Sequence, residues 1–285
     1  MNNKFLIGDF CFSISYPEEI IPPPNFMIFK TEEGASEYQY YITLDDNLPT
    51  PTGNLITKRA DIEIFDNMGL ESRLLGVKGR DDYYAYYEEK SETEAAIILN
   101  RDGIKDLHID PVFTSLLALE RRLVSKDALI LHCAYVEYEG KAILFFAPSE
   151  TGKTTQANLW EKHRNSFTIN GDKALLQKVD NQWIAQGWPV CGTSEICNNI
   201  TTPVGAIVML SQGKTDTVRK LGAFESFPQL YGQITANTWN INFVENNMRL
   251  IEQLADDIPI YHLSCTISEN AVSCLESALA DGGVI

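Results

Sequence analysis

The chain lacks the features that mark several protein classes. Its 285 residues include only six cysteines, at 11, 133, 191, 197, 265 and 274. No two of them have the spacing of a zinc knuckle or a redox pair, and their density is too low for a disulfide framework. No run approaches the roughly eighteen apolar residues of a membrane span. The opening stretch MNNKFLIGDF has one lysine but neither a long apolar segment nor a small-residue cleavage site, so no secretory leader is expected. Basic residues are few: 23 Lys and Arg stand against 39 Asp and Glu, a formal net charge of −16. A surface of that sign repels phosphate backbones and anionic lipid, which argues against nucleic-acid and membrane partners. Internal repeats and low-complexity tails are also missing. These absences leave a soluble, reduced, cytoplasmic protein as the expectation.

What is present is ordinary for a globular chain, 44% hydrophobic and 22% charged, and long enough to bury a large core. Residues 1–105 read as a β-rich domain. Phe10–Tyr16, Glu37–Leu44, Lys58–Phe65 and Tyr83–Tyr87 are β-prone runs, separated by turn-formers such as Pro22-Pro23-Pro24-Asn25 and Pro49–Asn54. Residues 106–285 change character. Apolar residues from Val112 to Leu123 recur at helical spacing after Pro111. Two hairpin signals follow, at Glu139-Gly140 and Asp180-Asn181. Strands near Phe167–Asn170, Val204–Leu210 and Ile260–Ile267 then alternate with helices near Ala223–Ile234, Asn242–Asp256 and Glu269–Ala280. That alternation means an α/β domain.

One segment carries chemistry. Residues 142–155 read AILFFAPSETGKTT: an apolar strand, a short polar loop, then Gly152-Lys153-Thr154 opening a helix. This is the context that a phosphate-binding loop requires. Unpaired amides at a helix start carry the positive end of the dipole and bind anions. Gly152 lets the backbone approach a phosphate, Lys153 places charge on β/γ oxygens, and Thr154 offers a hydroxyl to Mg²⁺. Ala147 stands where the consensus loop has its first glycine, and Glu150 puts a negative side chain in the loop.

The histidine upstream can be placed by register. With Glu139 and Gly140 as the hairpin turn, Tyr138 pairs with Lys141, and His132 falls opposite Ala147 at the mouth of the loop. There it either contacts phosphate oxygens or serves as a structural histidine on a sheet. Asp172 follows the strand Phe167–Asn170 and should emerge at the same edge, where open α/β sheets bind ligands. It either holds Mg²⁺ and orients an acceptor hydroxyl, or merely closes an Asn170-Gly171-Asp172 turn.

The residues Leu131-His132-Cys133, Gly140, Ala147 through Thr155, and Asn170-Gly171-Asp172 together resemble the HPr kinase/phosphorylase-like serine kinases, whose nucleotide-binding core is shared with phosphoenolpyruvate carboxykinases. The resemblance is strongest over residues 129–176, looser to Ile285, and absent from the first hundred residues. It implies an α/β fold with a phosphoenolpyruvate carboxykinase/HPr kinase-like P-loop core; the smaller β-rich N-terminal domain, by its strand content alone, could dock a peptide substrate by edge pairing. It also implies transfer of the γ-phosphoryl group of ATP, with Mg²⁺, to a serine hydroxyl of a protein or peptide. The loop Ser149, Glu150, Thr151, Gly152, Lys153, Thr154 and Thr155 would hold the nucleotide. Asp172, His132 and Lys153 would be catalytic, with Thr154 and Asp172 on the metal. The family has two adjacent aspartates where this chain has Asp172-Lys173.

Other positions take second rank. Thr193, Ser194 and Glu195 lie in a polar loop that faces the acceptor or simply connects two strands. Arg219 and Lys220 either neutralise transferred phosphate or belong to a solvated surface; Cys191 and Cys197 read as buried packing, Trp160 and Trp239 as core. His163 and His262 read as structural. Two alternatives remain open: a kinase of free serine or a related metabolite, and a nucleotide-binding regulatory protein without turnover. A homo-oligomer is compatible with either.

Overall fold

The computed structural model describes residues 1–285. It is a mixed α/β structure with two large sheets, and the chain divides into two compact units, Met1–Arg122 and Leu123–Ile285.

In the first unit, eight strands form one sheet: β1 Asn2–Ile7, β2 Phe10–Ser15, β3 Tyr38–Asp45, β4 Asn54–Lys58, β5 Ile62–Asn67, β6 Leu70–Gly76, β7 Tyr83–Ser91 and β8 Glu94–Asn100, in the order β1-β2-β3-β8-β7-β6-β5-β4. Alternation explains the pleat: in β3, Tyr38, Tyr40 and Ile42 are buried while Tyr41 and Thr43 face outward. A short helix, α1 (Pro24–Met27), sets Phe26 against Phe5 at 4.8 Å between ring centroids.

Four of these strands, β1, β4, β6 and β8, fall outside the expected runs apart from Lys58 at the end of β4, and of the run Lys58–Phe65 only residues 62–65 belong to a strand of their own, β5. Strand β6 escapes notice because Glu71 and Arg73 look like surface residues. Both are buried, and Arg73 Nε pairs with Glu71 Oε1 at 2.5 Å.

The helical pattern after Pro111 is not one helix. It forms α2 (Val112–Ser115) and α3 (Leu119–Val124), broken at Ala118 by a left-handed φ of +47°. Residues to Arg122 belong to the first unit, so its limit lies beyond residue 105. Ion pairs account for this: Glu120 bonds Arg73 at 2.7 Å, and Arg121 bonds Glu89 at 2.5 Å.

In the second unit, strands β9 (Ala128–Tyr138) and β10 (Lys141–Phe146) form the expected hairpin, with φ of +50° at Glu139 and +74° at Gly140. The helix α4 (Lys153–Arg164) follows, then β11 (Phe167–Asn170), β12 (Lys173–Val179), β13 (Gln182–Gln186), β14 (Thr202–Gln212) and β15 (Thr217–Leu221). Helices α5 (Ala223–Tyr231) and α6 (Ile241–Asp257), strand β16 (Ile260–Cys265) and helix α7 (Glu269–Asp281) complete the chain.

Strands β10, β14 and β16 run parallel and adjacent. Burial on both faces is why β10 reads as an unbroken apolar run. One face packs Val136, Phe145 and Val208 against Trp160 of α4 and Leu275 of α7. The other packs Leu144 and Ile207 against Leu250 and Leu254 of α6. No helix is long and apolar enough to cross a membrane.

Candidate functional site

The parallel strands β10, β14 and β16 all end at one edge of the sheet, and the candidate loop leaves β10 there. Residues Ala147–Gly152 connect Phe146 to Lys153, the first residue of α4. Gly152 adopts φ +113°, ψ +22°, a backbone state that favours glycine. Glu150 also sits left-handed, at φ +64°, with its side chain exposed. Ala147 is buried and is not among the left-handed residues, so this loop turns without a glycine at its first position.

The helix start leaves its first amides unpaired. The first intrahelical bond runs from Gln156 N to Gly152 O at 2.9 Å. No side chain caps the amides ahead of it, and the first turn carries no acidic residue. The amides of Lys153, Thr154 and Thr155 therefore present uncompensated partial positive charge. Lys153 is buried, with Nζ donating to the carbonyls of Ala147 at 3.1 Å and Pro148 at 3.5 Å. Burial pulls its pKa below the ordinary lysine value, opposed by the Asp172 carboxylate.

The register places His132 and Asp172 beside this loop. Cys133 is the last residue of β9 paired with β10, opposite Phe146, and Cys133 N donates to Asp172 O at 2.9 Å. The ladder ends at that pair, one residue short of the expected His132–Ala147 partnership. His132 pairs instead with Lys173 of β12, on the opposite flank of β9. Its Nε2 lies 3.3 Å from Asp172 Oδ1. Burial raises the Asp172 pKa, but the His132 hydrogen bond and the charges of Lys173, His132 and Lys153 outweigh it and hold the carboxyl below the usual range. The buried Cys133 thiol is pushed up by desolvation and by the Asp172 charge, so it stays protonated and unreactive.

Asn170 holds Asp172 in place. It is fully buried, and its Oδ1 accepts from Asp172 N at 2.8 Å and Lys173 N at 2.9 Å. Its Nδ2 donates to Trp188 O at 2.9 Å and Val190 O at 3.1 Å, tying the turn to the polar loop that follows β13. Two glycines let that loop approach. A Cβ on Gly171 would meet Ser194 Oγ at 2.0 Å, and one on Gly192 would meet Asp172 Oδ1 at 3.1 Å.

The family model for SynChlorMet cassette protein ScmC matches residues 98–280, more than half of the chain. The chain belongs to the ScmC family. The ScmC match runs from the end of β8 through nearly all of α7, so the loop, His132 and Asp172 all fall inside it. No curated protein matches. Among solved structures, the chain is similar to an HPr(Ser) kinase/phosphatase from Coxiella burnetii at 12% identity and a TM-score of 0.32, over 54% of this chain and 89% of that one.

The remaining candidates scatter. Ser194 is committed locally, donating to Cys191 O at 2.7 Å, while Thr193 and Glu195 are exposed. Arg219 pairs with Glu225, and Lys220 is exposed. Cys191 is buried but Cys197 only half-buried, its thiol donating to Trp188 O at 3.1 Å. Trp160 is core, whereas Trp239 is half-exposed and not part of it. His163 lies 3.6 Å from Glu269, and His262 Nε2 lies 2.9 Å from Ser211 Oγ. In the sequence, Asn170 is visible only as part of the Asn170-Gly171-Asp172 motif. Its function as the anchor depends on partners 18 and 20 residues away, which no local pattern displays.

Proposed function

We propose that this chain is an ATP-dependent phosphotransferase that moves the γ-phosphoryl group to a serine hydroxyl of a protein or peptide. The reading takes the second unit as a P-loop core of the kind found in HPr kinase/phosphorylase-like serine kinases and phosphoenolpyruvate carboxykinases. One observation carries it: uncapped amides at Lys153, Thr154 and Thr155 stand at the same sheet edge as the His132–Asp172 pair.

In this reading the amides from Ser149 to Thr155 grip phosphate oxygens, with the Glu150 side chain turned to solvent. Lys153 exchanges its contacts with the Ala147 and Pro148 carbonyls for the β/γ oxygens. Asp172 accepts the proton of the serine hydroxyl as that oxygen forms the new bond to phosphorus and the bond to the β-phosphate oxygen breaks, leaving ADP. His132 orients the Asp172 carboxylate through the 3.3 Å contact. Lys173 adds a positive charge beside it, where the resembling family has a second carboxylate. Catalysis is then mainly positioning and charge stabilisation.

Magnesium fits as a partner of the substrate rather than as a resident ion. Thr154 and Asp172 offer one hydroxyl and one carboxylate, and no group of three or more His, Cys, Asp or Glu is placed to hold a metal. That donor set suits an ion ligated largely by phosphate oxygens and water. When bound, Mg²⁺ supplies charge neutralisation across the transferring oxygens. The strand-rich first unit is assigned the docking of an extended peptide by strand-edge pairing.

Phosphoryl transfer from labelled ATP to panels of peptides and free amino acids tests the reading. Labelled seryl peptide that disappears with Lys153→Ala is expected. Label on free serine alone would move the acceptor to small molecules. Because Glu150 and Lys173 depart from the motif, a non-catalytic nucleotide-binding regulator is the second reading. Tight ATP binding without product, unaffected by Asp172→Asn, would favour it.

A further inference from the structure

Strand β9 changes partners at the candidate site. On one flank His132 pairs with Lys173 of β12. On the other, β10 accompanies β9 only as far as Phe146 and Cys133, where it turns away into the phosphate loop. Residues 233–235, just past the end of α5, fill the vacated edge. Ile234 forms an antiparallel bridge with Leu131, His132 N donates to Gln233 O at 2.9 Å, and Thr235 N donates to Ile130 O at 2.9 Å. Gln233 therefore stands opposite His132, in the place where a continued hairpin would have put Ala147.

Pairing fixes the face as well as the position. Residues directly opposite in an antiparallel ladder share a face, with Cβ atoms about 5 Å apart. Ile234 lies in one core cluster with Leu131 and Ala174. Gln233, one residue before it, lies on the other face, with His132 and Lys173. Lys173, His132 and Gln233 thus form a row across the sheet, each of them half-buried. Asp172 Oδ1 meets the middle of that row, 3.3 Å from His132 Nε2.

The two ends of the row differ in chemistry. Lys173 brings a charge, whereas Gln233 brings a neutral carboxamide on the flank from which the loop departs. The hydrogen bonds that hold Gln233 are those of its backbone: O accepts from His132, and N donates to Leu230 O at 2.9 Å. Its carboxamide offers a donor and an acceptor together, the complement of a peptide unit. To the ammonium and carboxylate of a free amino acid it offers no opposite charge. Thr235, exposed two residues further along the same face, adds a hydroxyl.

We propose that Gln233 is a specificity residue for the phosphoryl acceptor, its carboxamide holding a peptide unit of the serine whose hydroxyl meets Asp172. The assignment rests on the phosphotransferase function proposed above and extends it to the choice between peptide and free serine. Contact with the peptide unit, which free serine lacks, sets the hydroxyl in place.

Steady-state kinetics with the seryl peptide of the panel that takes most label, its ends acetylated and amidated, and with free serine tests it. Gln233→Met keeps the length and removes both hydrogen-bonding groups. It should raise KM for the peptide about tenfold, the ratio expected of one lost hydrogen bond, with kcat at saturating peptide falling far less. ATP affinity and the use of free serine should not move. Gln233→Asn, one methylene shorter, should show the same loss and guards against misfolding of the first variant. A wild-type KM in either folded variant would overturn the inference and leave phosphoryl transfer standing. Loss of ATP affinity together with KM would also overturn it, because damage to the strand end moves both and a lost acceptor contact moves only one. Label on free serine in preference to every peptide would overturn it in the wild-type chain itself. Label on no acceptor would remove the phosphotransferase function as well.

Discussion

His132 of β9 and Asp172 of the β11–β12 turn meet at 3.3 Å, because Cys133 binds the Asp172 carbonyl and Lys173 pairs directly with His132. The contact is thus fixed by backbone register on both sides rather than by flexible side chains. Replacing Asp172 with Asn preserves shape and removes the carboxylate that we propose accepts the proton. We predict a fall in kcat of about 10²- to 10⁴-fold, with ATP affinity changed far less. Steady-state kinetics beside direct binding separates the two.

Asp172 also predicts a pH profile. Its carboxyl is held below the ordinary value of 3.8, so its pairing contributes fully to stability above that value and is lost as pH falls through the lowered one. Thermal unfolding of Asp172→Asn against the wild-type chain should show a stability difference that shrinks only below about pH 4. A difference already lost at pH 6 would contradict the assignment.

Lys153 behaves in the opposite pH range. Burial lowers its pKa, so its charge is lost at a pH below the usual 10.5. Affinity for tripolyphosphate should therefore weaken in mildly alkaline solution, before free lysines titrate. Titrations between pH 7 and about 10 would reveal the slope, which should be absent from Lys153→Ala.

Gly171 and Ser194 are coupled by contact. A Cβ on Gly171 would stand 2.4 Å from Ser194 Cβ, so Gly171→Ala must displace the loop or the Asp172 turn. We predict a loss of about 1–3 kcal/mol, largely recovered when Ser194→Gly is added. Additive single effects in denaturant unfolding would refute the coupling.

Glu150 carries a left-handed backbone and a negative charge in the loop. Glu150→Gly removes both costs. Stability should rise by about 1 kcal/mol and triphosphate should bind more tightly, measured by unfolding and by calorimetry.

Much of this arrangement is legible in sequence. The turn pairs Glu139-Gly140 and Asp180-Asn181 all adopt positive φ, as their residue types announce. The first of these turns gives the β9–β10 register through Phe146 and Cys133. Residues whose environment is made by distant partners are not legible. Glu71 and Arg73 read as surface because their pairing is tertiary, and Ala118 breaks a helix whose apolar spacing continues past it. At the site, Asn170 and Gln233 are ordinary amides until Trp188, Val190 and His132 are brought to them.

The central claim is that the turn from Ala147 to Thr154 closes its amides on phosphate oxygens. Amide ¹H–¹⁵N spectra recorded while tripolyphosphate and Mg²⁺ are added address it most directly. Large downfield proton shifts are expected at Gly152, Lys153, Thr154 and Thr155, abolished in Lys153→Ala. Unmoved amides at those four residues under millimolar ligand, with the fold intact, would contradict it.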